Sequence, residues 1–168
     1  MSYVDKIRIP QHLLDNTSLL PLLDWFLDTT IILYLASNQV NDFFLVHGIS
    51  STWSMNQILT GAFSGEKRLC FEILRLHLGV LIATYIIQQA PSISEDNLSK
   101  ERDWLEGVSW LQIKSKVLDE QPKETDDHVY KLVQICYETA RKFEFESAME
   151  ALYKKAAITV MANPFKYA

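Results

Sequence analysis

The 168-residue sequence has few cysteines and glycines and no excess of positive charge. Its two cysteines form neither a CxxC motif nor the framework of a secreted disulfide protein. The five glycines are too scattered to cradle a dinucleotide or a phosphate. A net charge of −5, with no cluster of lysine and arginine, argues against nucleic acid as a partner. What remains is a globular protein of ordinary composition.

No targeting segment and no membrane span is predicted. The N-terminal sequence MSYVDKIRIPQHLLDN lacks the apolar stretch of a signal peptide. The most apolar segment, LHLGVLIATYII at residues 76–87, is shorter than the roughly 20 residues that a membrane span needs. We therefore predict that residues 76–87 belong to a buried helix of a soluble, cytoplasmic protein. In that reducing compartment, Cys70 and Cys136 are expected to be buried free thiols.

Apolar residues recur with the helical period of 3.6 along nearly the whole chain, and the alternating pattern of strands is absent. We predict an all-α fold, a single bundle-like domain of five to seven helices over residues 1–168. Pro21 is expected in an opening helical turn, where proline is tolerated. Gly107 weakens the fourth predicted helix. The predicted helices span residues 18–37, 42–60, 66–89, 98–118, 126–144 and 146–161.

The first candidate site residue is His47, in NDFFLVHGISSTWSMNQIL. A mid-helix imidazole needs partners for both ring nitrogens. The neighbouring Gly48 lowers helix propensity by about 1 kcal/mol relative to alanine, so another group is expected to approach the backbone closely there. His47 is either a ligand or acid–base group at a cavity wall, or a core histidine bonded to backbone or a nearby hydroxyl. The spacing alone leaves both interpretations open.

The second candidate is the pair His128 and Lys131, in KETDDHVYKLVQICYETARK. Three residues apart, they share one face near the start of a predicted helix, where the helix dipole favours their uncharged forms. A neutral imidazole suits a metal or proton transfer, and a neutral lysine suits a nucleophile, a base or carbamate formation. The competing interpretation makes Asp127 and His128 solvated capping residues and Lys131 an outward-pointing lysine.

The other two histidines have simpler structural explanations, although either could contribute a further ligand. His77, in LRLHLGVL, lies on the most apolar helix and is expected to be buried and hydrogen-bonded. His12, in PQHLLDN, is expected in a surface loop.

Three stretches together resemble the questin oxidase-like family. They are FFLVHGISSTWSMNQIL, the long apolar helix that ends in YIIQQAP, and DDHVYKLVQICYETAR. Their order and spacing extend the resemblance from about residue 25 to residue 142. The family pattern contains an LLHG helix, whose histidine His47 matches, and a D-x-H-V-x-K-L helix, whose histidine and lysine His128 and Lys131 match. The family is all-helical.

The resemblance implies an oxidoreductase that opens fused-ring aromatic polyketides by Baeyer–Villiger-type or dioxygenase-type oxidation, with NADPH and dioxygen as co-substrates. It also implies a non-haem iron site with His47, His128 and Lys131 as metal ligands. Lys131, which is also the expected catalytic residue, would supply oxygen as a carbamate or act unmodified as a proton donor. Family members are longer and carry further histidines in an N-terminal half. This chain is therefore expected to be an incomplete or partner-dependent fragment, completed by that half or by a second copy.

Two other functions fit the same residues. A non-catalytic helical interaction module would retain the histidines as buried structural residues, and a carrier of hydrophobic ligands is a weaker third function. The catalytic function requires His47, His128 and Lys131 to converge on one cavity, which separates it from the others.

Overall fold

The computed structural model describes residues 9–14, 18–39, 42–63, 65–99, 107–120, 126–144, 149–162 and 165. Within these ranges the protein has eight α-helices and no strand beyond one isolated bridge, so the predicted all-α fold class is confirmed. A π-helical turn, Lys116–Glu120, continues the sixth helix. The helices are α1 (Gln11–Leu14), α2 (Leu20–Ala36), α3 (Phe43–Gly61), α4 (Lys67–Ile87), α5 (Asp96–Ser99), α6 (Trp110–Ser115), α7 (Asp127–Lys142) and α8 (Glu150–Ala162).

Helices α2, α3, α4 and α7 begin and end within a few residues of their predicted bounds, and Pro21 lies in the first turn of α2 as expected. The predicted helix 98–118 is interrupted instead. Gly107 lies in a turn, and Ser109 starts the new helix α6 with a capping box that it forms with Gln112. Residues 100–106 of that prediction, and 146–148 of the last predicted helix, lie outside the described residues.

The main hydrophobic core lies between α2, α3, α7 and α8. Helix α7 buries one face, which includes Leu132 and Cys136, and keeps its charged residues on the other. Tyr153 of α8 is fully buried, and its hydroxyl donates to Asp28 Oδ1 of α2 at 2.5 Å. Burial raises the pKa of the Asp28 carboxyl, although the Tyr153 hydrogen bond partly offsets that effect. This bond fixes α8 against α2.

Helix α4 packs differently, because it buries only Cys70, Leu74 and His77. Its outer face leaves Leu76 72% and Ile87 70% exposed. The prediction that residues 76–87 belong to a buried helix is therefore wrong: the described elements cover only one side of α4. The predicted burial of Cys70 and of Cys136 as free thiols is confirmed.

Length and composition set α4 apart as well. With 21 residues, and a mean hydropathy of 1.7 over an 18-residue window, it is the one helix in the described part of the chain that is long and apolar enough to cross a membrane. The sequence-based estimate of about twelve residues counted only the charge-free segment. Core helices of soluble proteins have the same length and composition, so these two properties are weak evidence for a membrane span.

Candidate functional site

Helices α3 and α7 bring His47 and His128 into contact. The two imidazole rings have centroids 4.6 Å apart and planes inclined at 68°. Phe43 packs edge-on against both, with centroid distances of 4.5 Å to His47 and 4.9 Å to His128. Phe165 lies 6.1 Å from the His128 ring and closes the same aromatic cluster. Two of the three predicted site residues are thus neighbours, although they are far apart in sequence.

Local sequence explains why both histidines lie near helix starts. Asp42 caps α3, and its carboxylate accepts hydrogen bonds from the backbone N–H groups of Phe44 and Leu45 at 2.9 and 3.0 Å. His47 follows in the second turn. Asp126 caps α7 in the same way by accepting from the backbone N–H of His128 at 3.0 Å. Because the two helix starts lie side by side, the two imidazoles meet.

Two carboxylates hold the His128 ring. Its Nδ1 lies 2.5 Å from Asp126 Oδ1 and 3.2 Å from Asp127 Oδ1, and the side chain is 17% exposed. An Nδ1–H bonded to a carboxylate fixes the tautomer and leaves Nε2 for a ligand, as in many metal sites. Burial alone would raise the pKa of the Asp126 carboxyl, but hydrogen bonds from His128 outweigh it and the net shift is downward. The contact of these two carboxylates with the ring was not predicted from the sequence.

Lys131 lies one turn after His128 and forms an ion pair with Asp127, with Nζ 2.6 Å from Oδ2. Its side chain is 53% exposed, so this pair is worth little stability. The helix dipole was expected to favour a neutral lysine, whereas the structure places the Asp127 carboxylate directly against Lys131 Nζ.

His47 is exposed at the open end of α3, so its interpretation as a core histidine is wrong. The pKa of its imidazole is lowered by partial burial of the ring first, and then by the nearby His128 and Lys131. Of the nearby hydroxyls, that of Ser50 donates to the His47 backbone carbonyl at 3.3 Å rather than to the ring. Among the described residues no group forms a hydrogen bond with the ring nitrogens of His47. The lowered pKa favours the neutral imidazole that a metal requires.

The family model described as Questin oxidase-like matches residues 5–136 of the 168. The chain belongs to the questin oxidase-like family. The match confirms the resemblance found in the sequence and contains His47, His128 and Lys131. It also assigns the chain to an oxidoreductase-like family. No significant match to a curated protein or to a solved structure was found.

The remaining histidines of this questin oxidase-like chain lie elsewhere. His77 is 6% exposed, and its Nε2 lies 2.8 Å from Thr52 Oγ1. Because the Thr52 hydroxyl donates to the Gly48 carbonyl, we assign the proton to His77 Nε2, which donates to Thr52. Burial lowers the pKa of His77 and keeps the ring neutral. The predicted buried, hydrogen-bonded histidine is confirmed, and His12 is exposed but lies in the short helix α1 rather than in a loop.

The close approach that was predicted at Gly48 comes from α4. A Cβ atom added at Gly48 would lie 3.4 Å from Leu81 Cδ2, at the lower limit of ordinary contact. The glycine therefore makes room for the neighbouring helix rather than for a ligand of His47.

A cleft of about 680 Å³ lies along the same two helices. Its α3 wall includes Trp53, six residues after His47, and its α7 wall includes Gln134, six residues after His128. At 1.5 Å per residue, the cleft starts about 9 Å from the histidines. The ion pairs of Asp24 with Lys142 and Glu138 with Arg141 lie at its rim. The lining is Leu20, Leu23, Asp24, Leu27, Trp53, Asn56, Gln57, Thr60, Gln134, Glu138, Thr139, Arg141 and Lys142.

The donor chemistry at the histidine pair fits non-haem iron. Imidazole nitrogens with a nearby carboxylate are the ligand type that Fe(II) oxygenases use. A metal–nitrogen bond is only about 2 Å long, so two rings with centroids 4.6 Å apart can bind one ion. A second donor group overlaps the first: one ligand atom each from Asp126, Asp127 and His128 lies within 4.8 Å of the others. The two groups share His128 and differ in whether His47 takes part.

Proposed function

We propose that this chain is an oxidoreductase whose reaction takes place at His47 and His128, and that it opens a ring of an aromatic polyketide by oxidation. The observation that carries the proposal is the 4.6 Å approach of the two imidazoles. Both match histidines of the family pattern, and one is held by a carboxylate on its other nitrogen. Metal-binding histidines are commonly oriented in this way, by a carboxylate that binds the ring nitrogen that does not contact the metal.

In this proposal His47 and His128 hold iron, and Asp126 orients His128 by accepting its Nδ1–H. Bound iron would supply the activation of dioxygen, with NADPH as the source of electrons. We assign Lys131 the donation of a proton to a substrate oxygen, because it lies one turn after His128 and its side chain is half exposed beside the histidine pair. A carbamate on Lys131, the alternative role from the family pattern, would require the amine to leave its ion pair with Asp127.

The cleft between α2, α3 and α7 is the proposed substrate site. Its volume suits a ligand of drug-like size, and Trp53 with the leucines of α2 offers an apolar surface for a flat ring system. The charges at the rim are paired with each other, which favours a neutral substrate. Such a molecule would extend along the helices toward the histidines.

Two imidazoles leave several positions on the metal open. We propose that water, the substrate and a partner group fill them, the partner being a second copy or the N-terminal half that longer family members have. The two buried free cysteines are consistent with a reducing, cytoplasmic setting.

The test of the proposed function is oxygen consumption by the iron(II)-loaded chain with NADPH and a panel of hydroxylated fused-ring quinones, with ring-opened products identified by mass spectrometry. His47→Ala should reduce the rate to background. His12→Ala, which removes another exposed histidine, is the matched control and should keep the wild-type rate. Equal rates for both variants would contradict the proposal.

One observation favours a second function. The exposed apolar face of α4 is typical of an interaction module, because monomeric soluble proteins rarely leave a continuous apolar patch uncovered. Iron-loaded protein that consumes no oxygen with any substrate of the panel would favour this function over catalysis.

A further inference from the structure

Phe165 follows the end of α8 by three residues, and its ring contacts the candidate site. The ring centroid lies 5.6 Å from that of Phe43 and 6.1 Å from that of His128, with planes inclined at 82° and 81°. Edge-to-face pairs at these distances are favourable aromatic contacts. The side chain is partly buried and packs against the main hydrophobic core. Phe165 is therefore an integral part of the aromatic cluster around His128.

The fold explains how a residue so near the end of the chain reaches this position. Helices α7 and α8 follow one another in the sequence and pack against each other, so the chain reverses direction between them. The end of α8 thus returns to the start of α7, where His128 lies. Buried Tyr153 and Val160 fix α8 in the core, so Phe165 extends from a well-anchored helix.

The two histidines of the site are covered unequally. The His128 side chain is 17% exposed, and its ring contacts both Phe43 and Phe165. His47 is exposed, and within the described part of the chain its ring contacts Phe43 but not Phe165. Phe165 therefore supplies aromatic cover that His128 has and His47 lacks. An apolar shell around a metal ligand controls the access of solvent to the site.

The family match does not reach this residue, because it ends at residue 136. We propose that Phe165 is a positioning residue of the site, whose ring holds His128 in place beside Phe43 and shields from solvent the iron that His128 binds. The shielding of iron rests on the proposed function, whereas the cover of the His128 ring does not. Residues beyond the matched range then belong to the functional unit.

The cover of His128 is tested on the metal-free chain with diethyl pyrocarbonate, which modifies imidazoles, by following each histidine with peptide mass spectrometry. Phe165→Ala should raise the rate at His128 several-fold relative to exposed His12 of the same chain. Phe165→Leu retains an apolar side chain and should keep most of the protection. Phe44→Ala is the matched control, because Phe44 packs on the same Phe43 ring, at 5.8 Å, and has no described ring contact with His128. This control should leave the His128 rate unchanged.

The shielding of iron is tested by the rate at which a chromogenic chelator removes iron(II) from the loaded chain. Phe165→Ala should bind as much iron as the wild type and release it several-fold faster, whereas Phe165→Leu and Phe44→Ala should release it at close to the wild-type rate. A purely structural Phe165 would leave this rate unchanged in a folded variant.

The proposal and the proposed function fail in different ways. An unchanged rate of His128 modification in Phe165→Ala, or equal rates of iron release from that variant and the wild type, would overturn the role of Phe165. Loss of the helical circular dichroism spectrum in Phe165→Ala would overturn it too, because Phe165 would then be a residue of the core. Wild-type protein that binds no iron would contradict the proposed function alone, since the modification of His128 still measures its cover.

Discussion

Two regions on opposite sides of α3 use histidine in different ways. Between α3 and α4, His77 is buried and donates to Thr52, so its ring is neutral and its hydrogen bond is internal. At the open end of α3 and α7, His47 and His128 pack against each other, and Asp126 holds only one of the four ring nitrogens. The buried histidine therefore stabilises the packing of α3 against α4, whereas the open region leaves ring nitrogens available for chemistry.

The largest expected difference between the two regions is in stability. His77→Ala removes a buried ring together with its bond to Thr52 and should lower the free energy of unfolding by about 2–4 kcal/mol. His47→Ala removes an exposed ring and should change it by less than about 0.5 kcal/mol. Chemical denaturation of the metal-free variants measures both. Equal losses of stability would make His47 a structural residue as well and would contradict the difference between the two regions.

A smaller effect is expected when the carboxylate that binds His128 is neutralised. Asp126→Asn retains an α7 capping residue but removes the charge that holds His128 Nδ1. Iron affinity should fall about 10–100-fold, the usual consequence of losing an orienting carboxylate. Competition with a chromogenic chelator measures it, and Asp119→Asn, in the π-helical turn, is the matched control that should leave the affinity unchanged. An unchanged affinity for Asp126→Asn would show that the carboxylate does not support a metal ligand.

Much of the fold followed from the sequence, because helical periodicity and capping are local properties. The bounds of α2, α3 and α7 and the burial of His77 were predictable in this way. The exposure of α4 was not, since an apolar segment indicates which residues avoid water but not which surface covers them. The interruption before α6 depends on the capping box that Ser109 forms with Gln112, a signal that is present in the sequence and was overlooked.

The candidate site was predictable only in part. The family pattern pointed to His47, His128 and Lys131, and the structure brings the two histidines together. The ion pair of Lys131 with Asp127, and the hydrogen bond of His128 to Asp126, depend on side-chain directions at the first turn of α7, which spacing does not give. The packing of Phe43 against both rings depends on how α3 and α7 lie side by side, which is a tertiary property.

Metal analysis of the protein purified anaerobically with iron(II) determines whether His47 and His128 bind one iron ion together. Wild-type protein should hold close to one iron per chain, and both His47→Ala and His128→Ala should hold almost none, while His77→Ala that remains folded should retain it. Full iron content in His47→Ala with loss in His128→Ala would place the metal on Asp126, Asp127 and His128 instead. That result, or wild-type protein without iron, would show that His47 and His128 do not bind one iron ion together.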